Sequence, residues 1–263
     1  MLDLIVRIER PLEHGDDTPA VTRAGVGGQA ANVAAWAAVL GAQSRLIAKR
    51  GGDTPGRLAA DEVGAHRVEV LGPMAPGRNG VVVSIVEPGG ERSMLSDPGV
   101  AAELRADEVK AEWLAGCDVL YLSGYALLRH PIEEAGAKAA AVVRAHGGAV
   151  AVDLSTWTAI RDFGAERFLA RLEDLRPDVV FTNERELAEL AADPPAGTVV
   201  LKLGAGGAAV IDDGKRTDYP AHATVVVDST GAGDALAAGF LVGGIGLGLE
   251  AAARCVAKPG AMP

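Results

Sequence analysis

The chain has 263 residues, 49% of them apolar, enough to bury a large core in one domain or two. A formal charge of −10 and a pI near 5.0 leave no basic block to hold nucleic acid or an anionic membrane, so any anionic ligand must be gripped locally. Cys117 and Cys255 lie far apart without metal-ligand spacing and make no disulfide framework, which points to a reducing cytoplasm. No secretory leader is visible, and the longest apolar run, Ala235 to Leu249, is short for a bilayer and holds five glycines.

In chain order, DLIVRIER (3–10) reads as a strand, and Gln29–Leu40 as a helix stopped by Gly41. SRLIAK (44–49) is a continuous apolar run of the kind that forms a buried strand. RNGVVVSIVEPGGERSML (78–95) is two strands around a Glu-Pro-Gly-Gly turn, hence an antiparallel hairpin, which forms a small sheet with 3–10. Strands at 118–123, 148–154, 178–182 and 198–203 then alternate with helices at Pro131–His146, Ala165–Leu175 and Glu184–Ala192. That rhythm predicts a doubly wound, mostly parallel α/β sheet.

DSTGAGDALAAGFL (228–241) concentrates the chemistry. VVVDST reads as a strand running into Gly231-Ala232-Gly233, and a helix starts at Asp234. Amides converge at such a turn, glycines admit a bulky anion, and the helix dipole adds positive charge, so a phosphate can be held without lysine. Asp234 beside it can take the proton of an attacking hydroxyl, as a kinase base does. The bare spacing equally allows a structural reading, in which Asp234 complements the dipole and the glycines permit tight packing.

VGGQAANVAAWAAVLGA (26–42) pairs glycines with an early-helix Asn32, and FTNERE carries N-x-x-E at a strand end. With 228–234, these stretches resemble the signatures of the ribokinase and phosphofructokinase-B family of sugar and nucleoside kinases. Gly27, Gly28 and Asn32 match the first signature, Asp228 to Asp234 the second, and Asn183 and Glu186 the N-x-x-E element. The resemblance implies a ribokinase-like single domain over 1–263, a doubly wound sheet flanked by helices with a small antiparallel β lid from about 3–25 and 66–95. It implies transfer of the γ-phosphoryl of ATP to a sugar hydroxymethyl group. Asp234 would be the base and the amides of Gly231, Ala232 and Gly233 the anion hole, with Asp3, Gly28 and Asn32 on the sugar. Asn183, Lys202, Gly204 and Gly207 would serve ATP, Glu186 would hold Mg2+ through water, and Asp228 and Thr230 an activating K+. Open lid edges offer a route to a homodimer.

The acceptor is less determined. D-x-N-x-R, frequent in fructokinase-like and ketodeoxygluconate-kinase-like members, is replaced by Asp153-Leu154-Ser155-Thr156-Trp157, and Gln29 stands where ribokinases usually have Lys. A nucleoside kinase and a non-catalytic sugar-binding relative stay open as alternatives. GAGGAA (204–209) lacks the following helix that a dinucleotide site needs, and no Walker motif occurs. Family members open with a core strand that precedes the position of Asp3, so the natural start is expected upstream, with Met1 an internal methionine. The extended form is expected to be more stable and more active.

Overall fold

The structure, a computed structural model, describes residues 1–89 and 91–263. The first half runs β1 (Leu2–Ile8), β2 (Ala20–Val26), α1 (Gln29–Val39), β3 (Arg45–Ile47), β4 (Arg50–Gly51), α2 (Thr54–Ala65), β5 (Glu69–Leu71), β6 (Met74–Ala75), β7 (Val81–Val86) and β8 (Arg92–Asp97). Three 3-10 turns then lead to β9 (Val119–Ser123), α3 (Gly124–Leu127), α4 (Ile132–Ala145), β10 (Ala149–Asp153), α5 (Trp157–Phe163) and α6 (Ala165–Leu175). The remainder is β11 (Val179–Asn183), α7 (Glu184–Leu190), β12 (Thr198–Lys202), β13 (Ala208–Asp212), β14 (Lys215–Tyr219) and α8 (Ala232–Val256).

The alternating strands and helices form the expected doubly wound sheet. Its order is β14-β13-β12-β11-β10-β9, parallel from β9 to β12 and antiparallel at β13 and β14. Strand pleating sends Val150 and Val152 to one face, with Phe168, Leu172 and Leu175, and Ala151 to the other, with Trp36, Ala237 and Cys255. Both faces are therefore covered, as a parallel sheet requires. The four parallel strands end in Ser123, Asp153, Asn183 and Lys202. In an open α/β sheet that carboxyl edge is where ligands bind.

The second sheet has the order β2-β1-β7-β8, with β1 parallel to β7 and antiparallel to β2, and β7–β8 is the expected hairpin. Gly90, in the expected Glu-Pro-Gly-Gly turn, lies outside the described residues. Residues 66–75, expected with this sheet, supply β5 and β6 instead, which pair in parallel with β3 and β4.

Three further sequence readings change. The strand at 44–49 shrinks to Arg45–Ile47 and pairs with β5 outside the main sheet, because Lys49 turns inward to bond Glu108 at 2.8 Å and the Glu103 carbonyl at 3.1 Å. Val225, Val226 and Val227 form no strand and are 80%, 64% and 55% exposed. They leave the edge of β14 uncovered, and the Val227 amide donates instead to the Val256 carbonyl at 2.7 Å, at the end of α8. The run at Ala235–Leu249 lies in a 25-residue helix long and apolar enough to cross a membrane by length and composition, but α8 is broken at Gly243 and Gly244. Its halves fold onto each other where Gly239 meets Gly248, and Ala235 to Ala238, Ala251 and Cys255 are buried in the core. Helix α2, not anticipated, carries its own start signal: Asp53 accepts from the Gly56 amide at 3.0 Å, with proline in the first turn.

The ends of β9 and β10 meet at Gly124, where a Cβ would sit 2.6 Å from the Leu154 carbonyl oxygen and 2.7 Å from that of Asp153. Gly124→Ala is expected to cost about 1–3 kcal/mol in denaturant unfolding by forcing the strand ends apart. Gly246→Ala, in a helical stretch with open space around it, is expected to be neutral or to stabilise by up to about 1 kcal/mol. Equal effects of the two would show that the close approach is not tight.

Candidate active site

Helices α1 and α8 bring Asn32 to Asp234. Asn32 Nδ2 donates to Asp234 Oδ2 at 2.7 Å, and Gln29 stands one turn earlier on α1. Burial pushes the Asp234 carboxyl up to about 7, because desolvation outweighs the Asn32 bond; nearby Asp153 pushes it further, and Lys202 and the Gln29 amide oppose. Asn32 Oδ1 is buried and finds no hydrogen-bond partner among the described residues.

Gly231 caps α8 in the left-handed conformation with φ 78°, and its carbonyl accepts from Ala235 at 2.9 Å. The amides of Gly231 and Gly233 find no acceptor among the described residues, as expected at a helix start. Ala232 differs from the expected three-amide hole: its N–H closes a turn on the Ser229 carbonyl at 3.3 Å. A Cβ on Gly233 would lie 3.4 Å from Lys202 Cδ and 3.7 Å from its Nζ, so the lysine flanks the open turn.

Lys202 Nζ bonds both oxygens of Asp153, at 2.9 and 2.7 Å, and Asp153 is fully buried. Burial pulls the Lys202 ammonium down, but Asp153 and then Glu186 outweigh it and hold the ammonium above its ordinary value. Asn183 and Glu186 form a reciprocal cap of α7. Asn183 Oδ1 accepts from the Glu186 amide at 3.0 Å and Glu186 Oε2 from the Asn183 amide at 2.9 Å. Glu186 is 2% exposed, and burial raises its carboxyl against the pull of Lys202.

The other expected residues take varied places. A Cβ on Gly27 would fall inside the Asp3 carboxyl group, which puts Asp3 against the start of α1, while Gly28 caps that helix with φ 97°. Asp228 Oδ1 accepts from the Thr230 amide at 2.9 Å and from its hydroxyl at 2.5 Å, and Oδ2 accepts from the Gly260 amide at 3.0 Å. That pins the C-terminal segment, whose Ala261 carbonyl accepts from Trp36 Nε1 at 2.8 Å. Gly204 is exposed in the turn after β12, whereas Gly207 is buried beneath Tyr219 and Ala221.

Sequence reading missed Asp153, Ser123, Ser155 and Tyr121 as members of this site. Tyr121 has a buried hydroxyl without a partner among the described residues, raised well above its ordinary value by burial and by Asp153, Asp234 and Glu186. The available signal was positional: polar residues close the apolar strands β9 and β10 at the carboxyl edge.

A buried carboxyl, open helix-start amides and a flanking lysine gather at that edge, the kind of arrangement an ATP-dependent kinase uses. The profile of the pfkB family carbohydrate kinases matches residues 2–262, and the chain belongs to that family. An ATP-dependent ribose-1-phosphate kinase of Halopiger xanaduensis is 30% identical, covering 91% of this chain and 80% of its own length. A cytidine kinase of Thermococcus kodakarensis is 31% identical over 82% of this chain and 79% of its own. The solved adenosine kinase of Sinorhizobium meliloti superimposes with a TM-score of 0.87 at 26% identity, covering 100% of this chain and 93% of its own.

Asp234 binds its proton more tightly in the folded than in the unfolded protein, since about 7 exceeds the ordinary 3.8. Folded stability is therefore lost as pH rises from 3.8 to about 7 and is flat above. Asp234→Asn removes this loss, so its thermal midpoint is expected to exceed that of the natural sequence by more at pH 8 than at pH 5. A constant difference across that range would show that Asp234 ionises freely.

Proposed function

We propose that the protein transfers the γ-phosphoryl of ATP to a hydroxymethyl group of a small sugar, with Asp234 as base. The observation that carries this reading is the Asn32–Asp234 pair. Asn32 Nδ2 fixes the carboxylate, while the buried, unpartnered Oδ1 of the same amide is an acceptor left for a ligand hydroxyl. With a titration near 7, Asp234 is a base matched to neutral pH. The acceptor hydroxyl gives its proton to Asp234 as its oxygen attacks the γ-phosphorus, and the bond from that phosphorus to the bridging oxygen breaks, so that ADP leaves with the electron pair. The open amides of Gly231 and Gly233 and the dipole of α8 receive the charge on the transferring group, and Lys202 sets a cation beside them.

Asp3 and Gly28 would hold further sugar hydroxyls with Asn32. Asn183, Gly204 and Gly207 would line the nucleotide side, Gly207 by shaping the turn. No group of three or more His, Cys, Asp or Glu among the described residues forms a metal cage, and this suits Mg2+, which keeps waters and phosphate oxygens as ligands. Glu186, a hard carboxylate beside Lys202, would hold it through water; when bound it neutralises charge on the phosphates. The β2-β1-β7-β8 sheet would be the lid over the sugar, and its outer strands β2 and β8 would let two copies pair.

Asp234→Asn is expected to lower turnover by about 10²–10⁴-fold with nucleotide binding retained. The natural sequence should gain kcat as pH rises through about 7, because the base works deprotonated. Retention of more than about a tenth of turnover when chemistry limits removes the assignment.

A nucleoside acceptor is the second reading. Tyr125, 49% exposed, lies within electrostatic reach of Glu186, Asp153 and Asp234, so its ring is available to a base. The cytidine and adenosine kinase names of two relatives favour it too. ADP release over ribose, ribose 1-phosphate, ketohexoses, cytidine and adenosine separates the two, and no release over the whole panel leaves a binding protein.

K+ at Asp228 and Thr230 belongs to the same reading, although an ion there shares the carboxylate with three protein donors. Turnover is expected to be faster in K+ than in Na+. Equal rates in K+, Na+ and a bulky organic cation would assign both residues wholly to pinning the C-terminal segment.

A further inference from the structure

Asp153 ends β10 and Lys202 ends β12, on opposite sides of β11. Register sets Asp153 level with Phe181 and Lys202 level with Asn183, two residues farther along β11, so both side chains leave the same face of the sheet. Measured across the middle strand, the two backbones stand about 10 Å apart. The lysine stem spans that gap, and its head bonds both oxygens of the fully buried carboxylate, at 2.9 and 2.7 Å.

The carboxylate is itself fixed. Its Oδ1 also accepts from the Ser155 amide at 3.0 Å, and Ser155 has φ +75°, a left-handed conformation that a non-glycine residue keeps only when its surroundings impose it. They do so through its hydroxyl, which accepts from the Gly124 amide at 2.9 Å and donates to Gln29 Oε1 at 2.6 Å, where Ser123 Oγ donates too. The lysine is held at a second point. A Cβ on Gly233 would meet its Cδ at 3.4 Å, so the stem lies along the turn that opens α8. Glu186 and Asp234 are near enough to act on the ammonium, but Glu186 Oε2 is taken by the Asn183 amide and Asp234 Oδ2 by Asn32. An ammonium has three donors, and Asp153 takes two of them.

We propose that Asp153 is a positioning residue that holds the Lys202 ammonium against the turn, so that its remaining donor serves the phosphoryl group in transit. This rests on Lys202 acting on the transferred group. A free ammonium on a flexible stem would close on the nearest phosphate oxygen, binding substrate and transition state alike, which raises affinity without raising kcat. A pinned one stands ready where charge develops and needs no reorganisation at that moment.

The test measures kcat and the ATP Kd in the natural sequence, Asp153→Asn, Lys202→Met and the double variant. Asparagine keeps an acceptor for the Ser155 amide and removes the charge. Lys202→Met should lower kcat by about 10²–10³-fold. Asp153→Asn should lower kcat by about 10–100-fold while ATP binds up to about tenfold more tightly, because the released ammonium gains a bond to ground-state phosphate. Added to Lys202→Met, Asp153→Asn should change kcat by less than about twofold, since it acts through the lysine. Should Asp153→Asn fail to fold, the natural protein carries the test. The NMR signal of the Lys202 ammonium, assigned by its loss in the double variant, should keep its through-bond coupling to the Asp153 carboxyl carbon with Mg2+ and the non-hydrolysable analogue adenylyl imidodiphosphate bound.

An unchanged kcat in Asp153→Asn overturns the proposal, as does loss of that coupling when the analogue binds. So does a kcat loss that returns in full on the Lys202→Met background, or an ATP Kd that weakens in step with kcat, either of which would make Asp153 a support of the fold. Turnover kept by Lys202→Met is a separate result, which removes the lysine from the phosphoryl site and takes the proposal with it.

Discussion

A single hydrogen bond from Asn32 to Asp234 joins residues 202 apart in the chain, and the rest of the site is arranged around it. It can form only if α1 and α8 lie close, and there Val33 and Trp36 of α1 share a core cluster with Ala235, Ala237 and Ala238 of α8, while Ala31, Ala34 and Ala35 pack with Ala59 and Val63 of α2. Larger side chains on α8 would hold the axes farther apart and leave the amide short of the carboxylate. The alanines that open α8, a bland feature of the composition, therefore help two chain segments to assemble one reactive group.

Burial of that group is unfavourable by itself. Asp234, Asp153 and Glu186 are three acids near one ammonium, Lys202, and the lysine is already bonded to Asp153. The excess negative charge is tolerated because Asp234 is met by neutral amides and can take up a proton near neutrality. The same arrangement leaves room for positive charge brought by a ligand's counter-ion. A site that already balanced its charges would bind such an ion weakly.

Much of this was legible in the residues. The strand and helix rhythm from 118 to 203 gave the sheet and its direction, because buried parallel strands read as continuous apolar runs, and the limits of α6 agree with expectation to the residue. The second signature located the start of α8 because a Gly-Ala-Gly turn before an acid has few other uses. The valines before it misled, since strand composition cannot reveal whether a run joins a ladder, and here the Val227 amide bonds the end of α8 instead. Asn183 and Glu186 show a different limit. Their spacing is that of a capping box, and the structure shows it serving that local need whatever else it does. The Gln29, Ser123 and Ser155 cluster was out of reach, because its members are ordinary singly and meet only through the close approach at Gly124 and a left-handed serine.

The contact between Asp3 and Gly27 has a consequence for how sequences like this one can drift. With the Asp3 carboxyl where a Cβ at Gly27 would sit, any side chain at 27 must turn that carboxyl aside from the start of α1. The coupling runs one way: the acid at 3 penalises a side chain at 27, and its loss lifts the penalty. Along a lineage, a side chain at 27 therefore costs less once the first strand has given up its acid.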